Sequence, residues 1–241
     1  MVVETPMPKY IQVLNAVRQR IEDGSYPPGS ALPSESQLSA EFGVARPTVL
    51  KALAILKQDG WIESHQGKAS FVRGRPTARR MAPAHARAVL DADESVATEL
   101  LGVAPVLAEA RVAGLFNIPE GTPVYRRQRR TVGDGGPVDL VTTFLPVEVA
   151  VGTEATKAAP IEGSLTAHIA ARKGMRGDYA IEWTTARRPT AEEAGLLAIA
   201  VDEPVLAMTI AVYTAAGDAV LASSVVMAGN RHEIEDTYPL S

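Results

Sequence analysis

Apolar residues recur at helical spacing in the first part of the chain. They occupy positions i, i+3, i+4, i+7 and i+11, which predicts an amphipathic helix, and they are Tyr10, Val13, Leu14, Val17 and Ile21. Asp23–Gly24 ends this helix. Residues 25–33 (SYPPGSALP) are rich in proline, glycine and serine, so an irregular connector is expected there.

Two short helices joined by a tight turn are predicted next. Ser34 and Gln37 have the spacing of a capping box, in which side chains bond the backbone N–H groups of the first turn. The helix that they open stops at Gly43, a residue suited to a left-handed C-terminal turn. Arg46–Pro47 opens a third helix, because proline is tolerated in a first helical turn. Its apolar positions are Val49, Leu50, Leu53 and Leu56.

A short hairpin follows the two helices. The strand-like segments Trp61–Ser64 and Ala69–Val72 flank the polar turn Gln66–Gly67–Lys68. Helix, turn, helix and hairpin in this order describe a winged helix-turn-helix, a module that places the second helix of its pair in the DNA major groove. The sequence therefore predicts a protein that binds double-stranded DNA.

The remaining residues predict one α+β domain with two hairpins. The first pair of strands flanks GDGG, a strong hairpin signal, and the second flanks another Gly/Asp turn. The four strand-like segments are Pro123–Val132, Pro137–Pro146, Pro204–Thr214 and Ala219–Met227. The helical segments are Leu165–Arg172 and residues 190–200, the latter opened by a capping box of Thr190 with Glu193.

The two hairpins resemble each other. Both run in the order acidic residue, proline, valine, long strand, Gly/Asp turn and strand. The spacing from Pro123 to Gly135 is 12 residues, and that from Pro204 to Gly217 is 13. We therefore predict a duplicated β-unit within one antiparallel sheet, with a pocket between the two halves.

Charge is unevenly distributed along the chain. The net charge of the whole chain is -4, but residues 1–90 hold 12 Lys/Arg against 7 Asp/Glu, whereas residues 91–241 hold 12 against 21. A basic end on an acidic chain is the electrostatic footprint of phosphate binding. The pattern predicts a DNA-binding domain over residues 1–75, an arginine-rich linker over 76–88, and a second domain over 89–241.

Composition excludes several other classes of protein. The chain has no cysteine, so neither disulfides nor thiolate metal sites are expected. Neither a secretory signal nor an apolar run near the ~18 residues of a membrane span is found, so we expect a cytoplasmic protein with no membrane partner. His168 and His232 have no companion at ligand spacing. No metal site, cofactor or catalytic residue is predicted.

Residues 8–76 resemble the winged-helix domain of the GntR family of bacterial transcription regulators. The second domain resembles, more loosely, the UTRA effector domain of the HutC subfamily, whose fold is similar to chorismate lyase. The first resemblance rests on Pro8–Lys9–Tyr10, Pro28–Gly29, Leu32–Pro33–Ser34–Glu35, Leu38, Gly43–Val44, Arg46, Thr48–Val49, Ala52–Leu53, Leu56, Gly60, Gly67–Lys68 and Phe71–Val72. The second rests on Pro123–Val124–Tyr125, Arg129, Asp134–Gly135, Pro137–Val138, Leu145–Pro146, Gly229 and Arg231.

The resemblance implies a set of DNA-binding residues. An arginine at the start of a recognition helix reaches guanine O6 and N7 with two donors, and a threonine contacts phosphate or a thymine methyl. The candidates are Ser34, Glu35, Arg46, Thr48, Lys51, Gln66, Gly67 and Lys68. Two positions depart from the family, which usually has serine at Ala45 and commonly arginine at Leu50. We therefore expect an operator different from the family's common one.

The effector-binding candidates are Arg127, Arg129, Thr131, Leu221 and Met227. Alternation along the strand puts Arg127 and Arg129 on one face of the sheet, and Arg126 and Arg130 on the other. In the family, arginine is usual at Thr131, and a carboxylate and a tyrosine at the positions of Leu221 and Met227. Because the fork donors that pair with phosphate are fewer here, we expect a ligand with one anionic or polar end and a larger apolar body.

Three hypotheses about function remain open at this point. The first is a homodimeric repressor, released from a pseudo-palindromic operator by a small-molecule effector. The second is a constitutive repressor, for example of mobile-element genes, whose degenerate effector domain serves only dimerisation. The third, an enzyme, would rest on the likeness to chorismate lyase alone, and the sequence offers no acid, base or nucleophile for it.

Overall fold

The computed structural model describes residues 9–64, 70–75, 82–96 and 98–235. The chain folds as two compact units, Met1–Met81 and Ala82–Ser241. In the described residues, no helix combines the length and the apolarity that crossing a membrane requires.

The N-terminal unit has the predicted order of elements. Its helices and strands are α1 (Lys9–Glu22), α2 (Glu35–Phe42), α3 (Arg46–Gln58), β1 (Ile62–Ser64) and β2 (Ser70–Val72). The two strands pair antiparallel, with Ile62 opposite Val72. One apolar core joins the helices to the hairpin and includes Val13, Val17, Leu38, Val49, Leu56 and Ile62. The winged helix-turn-helix prediction is confirmed.

The ends of α2 and α3 differ in how they are capped. Ser34 and Gln37 form the predicted capping box, with Ser34 N donating to Gln37 Oε1 at 2.8 Å and Gln37 N donating to Ser34 Oγ at 3.3 Å. Gly43 ends α2 at a φ of 59°. Ala45 has the extended backbone of an N-cap residue but provides no side-chain hydrogen bond. The first turn of α3 therefore lacks a side-chain acceptor at its N-cap.

One antiparallel sheet organises the C-terminal unit. Six strands pair in the order β3-β4-β5-β8-β7-β6 across the described residues. They are β3 (Thr98–Leu107), β4 (Pro123–Gly133), β5 (Gly136–Pro146), β6 (Tyr179–Arg187), β7 (Val205–Tyr213) and β8 (Ala219–Ala228). The helices are α4 (Ala84–Leu90), α5 (Ala110–Phe116), α6 (Val147–Ala150), α7 (Leu165–Lys173) and α8 (Ala191–Leu197), with a 3₁₀ turn at Glu154–Thr156. The predicted hairpins and helices are confirmed.

The duplication extends beyond the two hairpins. Each half is a strand, a short helix and a hairpin: β3–α5–β4–β5, and then β6–α8–β7–β8. Helices α5 and α8 both end at a non-glycine residue with positive φ, Asn117 at 54° and Ala198 at 53°. The halves meet where Thr142 of β5 lies opposite Ser224 of β8. The predicted duplicated unit is therefore an internal pseudo-twofold repeat.

Part of the predicted linker is folded. Residues 84–88 of the expected 76–88 linker belong to α4, and Ala86 is buried in the C-terminal core. His85 Nε2 lies 2.9 Å from Glu182 Oε2, which ties α4 to β6. The segment AHARAVL has few large apolar residues, so hydrophobic periodicity does not reveal it, but alanine is the strongest helix former. Residues 84–88 of the predicted linker are therefore helical and belong to the C-terminal unit.

Candidate DNA-binding surface and effector pocket

Helix α3 divides into a buried and an exposed side. Its buried residues Val49, Ala52, Leu53 and Leu56 anchor it in the N-terminal core. Seven residues of α3 are exposed, namely Arg46, Pro47, Leu50, Lys51, Ala54, Lys57 and Gln58. Arg46, Leu50 and Ala54 are spaced four residues apart within this exposed side. Since residues at i and i+4 lie above one another on a helix, these three side chains form one stripe. This stripe begins at the first turn of α3 and forms part of the surface that the helix leaves exposed.

Arg46 is held by Glu35 across the helix-turn-helix. Its Nε donates to Glu35 Oε2 at 2.8 Å, and the arginine side chain is still 69% exposed. Because Nε makes this contact, Nη1 and Nη2 can together supply the two donors that a guanine edge accepts. Glu35, expected among the DNA-binding residues, thus orients Arg46.

The other DNA-binding candidates have different surroundings. Ser34 caps α2, and Thr48 lies half-buried in the first turn of α3. Lys51 Nζ lies 4.1 Å from the centre of the Tyr10 ring, a cation–π contact that links α3 to α1. Gln66, Gly67 and Lys68 lie outside the described residues.

Arg127 and Arg129 lie on the same face of the sheet but have different partners. Arg127 is only 1% exposed, and its Nε donates to both oxygens of Glu94 at 2.9 Å. It also donates to the carbonyl oxygens of Lys157, at 2.8 Å, and Ala159. Arg127, expected to contact an effector, is therefore committed to contacts within the protein.

Arg129 is also buried, but the partners of its charged group are weaker than those of Arg127. It is 7% exposed, and its Nη1 donates to Thr131 Oγ1 at 3.4 Å. Burial lowers the pKa of Arg129, the charges of Asp139 and Glu94 act to raise it, and the charge of Arg127 lowers it further. Within the described residues, no carboxylate lies within ion-pair distance of Arg129. Its charge is therefore desolvated, with no direct counter-ion among those residues.

A small cavity adjoins Arg129 where the two halves of the sheet meet. Its volume is about 20 Å³, which is room for one water molecule. Thr143 of β5 and Ser223 of β8 line it and share a hydrogen bond of 2.9 Å. The apolar part of its lining is Val89, Leu90, Leu165 and Leu221. The cavity lies where the sequence predicts a pocket between the halves.

Two of the other effector candidates are peripheral to this cavity. Thr131 accepts from Arg129 and donates to Asp139 Oδ1 at 2.9 Å. Met227 is half-buried against the apolar core and is not part of the cavity lining. Sequence reasoning did not identify Glu94, Thr143 or Ser223. Thr143 and Ser223 are buried hydroxyls. Each belongs to a pair of polar residues, Thr142–Thr143 and Ser223–Ser224, that interrupts the apolar residues of β5 or β8, and these interruptions were the available signal.

A larger cavity of about 260 Å³ lies beside the 3₁₀ turn. It is lined by Glu154, His168, Arg172 and residues 159–162. His168 Nε2 accepts from Glu154 N at 3.2 Å, so this histidine has a structural partner. None of the predicted effector residues lines this cavity.

Comparison with known proteins agrees with both units. Residues 9–72 match the family model described as bacterial regulatory proteins, gntR family, and residues 91–233 match that of the UTRA domain. An HTH-type transcriptional regulator of Rhizobium meliloti (strain 1021) is 33% identical over 144 residues, 57% of each chain. The histidine utilization repressor of Pseudomonas putida is 42% identical over 69 residues, 29% of this chain and 28% of that one.

A third relative is similar over more of its length. The transcriptional repressor PhnF of Mycolicibacterium smegmatis (strain ATCC 700084 / mc(2)155) is 31% identical over 188 residues, 77% of this chain and 75% of that one. The crystal structure of PhnF from Mycobacterium smegmatis matches with a TM-score of 0.53 at 25% identity, covering 95% of this chain and 100% of that one. Fold and relatives together define a winged-helix transcription regulator with a UTRA domain. The chain belongs to the GntR family and is of the HutC type, a family of DNA-binding regulators rather than enzymes.

Proposed function

We propose that the protein is a ligand-responsive repressor that acts in the cytoplasm. It binds a pseudo-palindromic operator as a homodimer, and a small molecule held beside Arg129 releases it. The observation that carries this proposal is the contrast between two buried arginines on one strand. Arg127 has a carboxylate partner in Glu94, whereas Arg129 has a weak hydroxyl contact. Burying a charge is costly unless it is matched, so an anionic ligand would complete the site at Arg129.

The lining of the cavity limits the ligand's chemistry. Arg129, with the hydroxyls of Thr143 and Ser223, suits one anionic or polar group, and Leu90, Leu221 and their neighbours suit an apolar body. A phosphate would need more fork donors than the single arginine provides. The ligand class that fits best is an apolar carboxylate rather than a sugar phosphate.

The proposal of a homodimer rests on the small number of base pairs that one winged-helix domain can contact. One recognition helix contacts only a few base pairs, so useful specificity needs two half-sites. We propose the C-terminal unit as the main dimer contact. Residues 82–241, which keep helix α4 with the C-terminal unit, should sediment as a dimer when expressed alone. A monomer beside a dimeric full-length chain would move the contact to the N-terminal unit.

One observation favours the alternative of a constitutive repressor. A cavity of about 20 Å³ is too small for any metabolite, so ligand entry requires the lining to open. A domain that never opens would serve dimerisation alone. Thermodynamic linkage distinguishes the two proposals. An effector that weakens operator binding must itself bind more weakly, by the same factor, when the operator is bound. A constitutive repressor shows no such coupling.

The experiment has two stages on the full-length protein. A thermal-shift screen against a metabolite library finds ligands, because a bound ligand raises apparent stability by mass action. Each ligand found is then titrated into protein bound to its selected operator. Release of DNA supports the ligand-responsive repressor. If no compound shifts the transition or the operator affinity, the constitutive repressor stands.

A further inference from the structure

The exposed stripe of α3 holds a large apolar residue in its centre. Leu50 is 43% exposed, one turn after Arg46 and one turn before Ala54. The residues on either side of Leu50 in sequence have other roles, since Val49 is buried in the core and Lys51 packs on Tyr10. Along the stripe that begins at Arg46, the guanidinium donors are therefore followed by two apolar side chains, those of Leu50 and Ala54.

The DNA major groove has a matching apolar group. Of the four bases, thymine alone presents a methyl group on the major-groove edge, and apolar side chains contact it. A leucine cannot donate to or accept from any base edge, and it would leave the polar groups of a guanine or cytosine unsatisfied when it covered them. The contact with the methyl group favours thymine directly, and the unsatisfied polar groups disfavour guanine and cytosine.

We propose that Leu50 is a specificity-determining residue that reads a thymine methyl group beside the guanine read by Arg46. This inference rests on α3 being the helix that enters the groove, as in the proposed function. Four residues advance an α-helix by about 6 Å, and base pairs are about 3.4 Å apart. The thymine therefore lies one or two base pairs from the guanine in each half-site, with Ala54 extending the apolar stripe.

A charged residue on the same exposed side of α3 provides the control. Lys57 is exposed on the last turn of α3 and suits a phosphate, which carries no sequence information. Lys57→Ala is therefore the matched control for Leu50→Ala. Both substitutions lie on the exposed side of α3 and leave its buried residues unchanged.

The test starts from a random duplex library. The full-length wild-type protein selects its preferred sites, and those duplexes are then remade with deoxyuridine in place of each thymine, which removes only the methyl group. We expect one thymine per half-site at which the replacement weakens wild-type binding about fourfold, the factor for burying one methyl-sized group. Leu50→Ala should remove this penalty, and Lys57→Ala should weaken all duplexes alike and retain it.

Two results would overturn the inference in distinguishable ways. If the wild type selects a defined site but no deoxyuridine replacement gives a penalty that depends on Leu50, Leu50 does not read thymine, although operator binding stands. If no defined site is selected at all, the proposed function fails and the role of Leu50 fails with it.

Discussion

Glu94 and Arg127 form a buried ion pair that joins two distant parts of the C-terminal unit. Both carboxylate oxygens accept from Arg127 Nε at 2.9 Å, and Glu94 also accepts from the backbone N–H of Ile161 at 3.2 Å. The pair thereby fastens the segment before β3 and the loop around residues 157–161 to strand β4. This contact makes Arg127 structural and leaves Arg129 as the arginine available to a ligand.

Glu94→Ala should strongly destabilise the C-terminal unit. The substitution leaves the guanidinium of Arg127 buried without its counter-ion, a change that typically costs about 3–5 kcal/mol. The free energy of unfolding can be measured by urea titration of full-length protein in a Trp61→Phe background, so that Trp183 reports on this unit. Glu99→Ala is the control, because Glu99 pairs with Arg130 while 52% of its side chain is exposed. Equal effects of the two substitutions would contradict the structural role of Glu94.

Arg129→Met should separate ligand binding from stability. Removing an incompletely matched buried charge leaves stability unchanged or raises it, while an anionic ligand loses its partner. Calorimetric titration with apolar carboxylates, lactones and amino-sugar phosphates measures the first effect, and urea unfolding the second. Tight binding of a sugar phosphate that Arg129→Met does not weaken would contradict the pocket chemistry.

Ala45→Ser should stabilise the N-terminal unit. Ala45 already has the extended backbone of an N-cap, with φ of -67° and ψ of 147°, so a serine hydroxyl there can accept from the first turn of α3. A cap of this kind is worth about 1 kcal/mol. Urea unfolding in a Trp183→Phe background, with Trp61 as reporter, measures the gain. Ala54→Ser, in the interior of α3, is the control and should give no gain.

The C-terminal unit should lose stability in acid partly through Glu193. Burial raises the pKa of this carboxyl, but hydrogen bonds from Arg187 and Thr190 outweigh it, so the pKa lies below its usual 4.5. Its contribution is therefore complete above the usual pKa and is lost as the pH falls through the lowered one. Glu193→Gln should flatten the fall in unfolding free energy as the pH drops below the usual value of 4.5. An unchanged slope would show that the ion pair does not form in solution.

The sequence predicted those elements whose local signals agree with their tertiary surroundings. The apolar period of α1, the capping boxes at Ser34 and Thr190 and the GDGG turn each fix an element locally. Strand β3 was not predicted, because Gly102 and Pro105 interrupt its alternation and its pairing with β4 is a long-range contact. Helix α5 was not predicted either, since its N-cap Glu109 forms no side-chain cap.

The effector site, too, could be predicted from the sequence only in part. Strand alternation correctly put Arg127 and Arg129 on one face, since Arg130 reaches the carbonyl oxygen of Leu196 on the other. Which arginine is structural depends on Glu94, 33 residues earlier in the chain. Spacing within a strand carries no information about such a partner.

The proposed contact of Arg46 with guanine gives the most direct test of how this regulator reads DNA. Fluorescence anisotropy at fixed salt would compare wild type and Arg46→Ala on the selected operator and on an operator with the half-site guanine replaced. We predict that Arg46→Ala binds the intact operator with about 1–3 kcal/mol less free energy than the wild type. Replacing the guanine should then weaken binding by the variant very little further. The loss of operator affinity should also be larger than that caused by any single substitution in residues 91–241 outside the dimer contact. Full affinity and undiminished base preference in Arg46→Ala would contradict the assignment of α3 as the recognition helix.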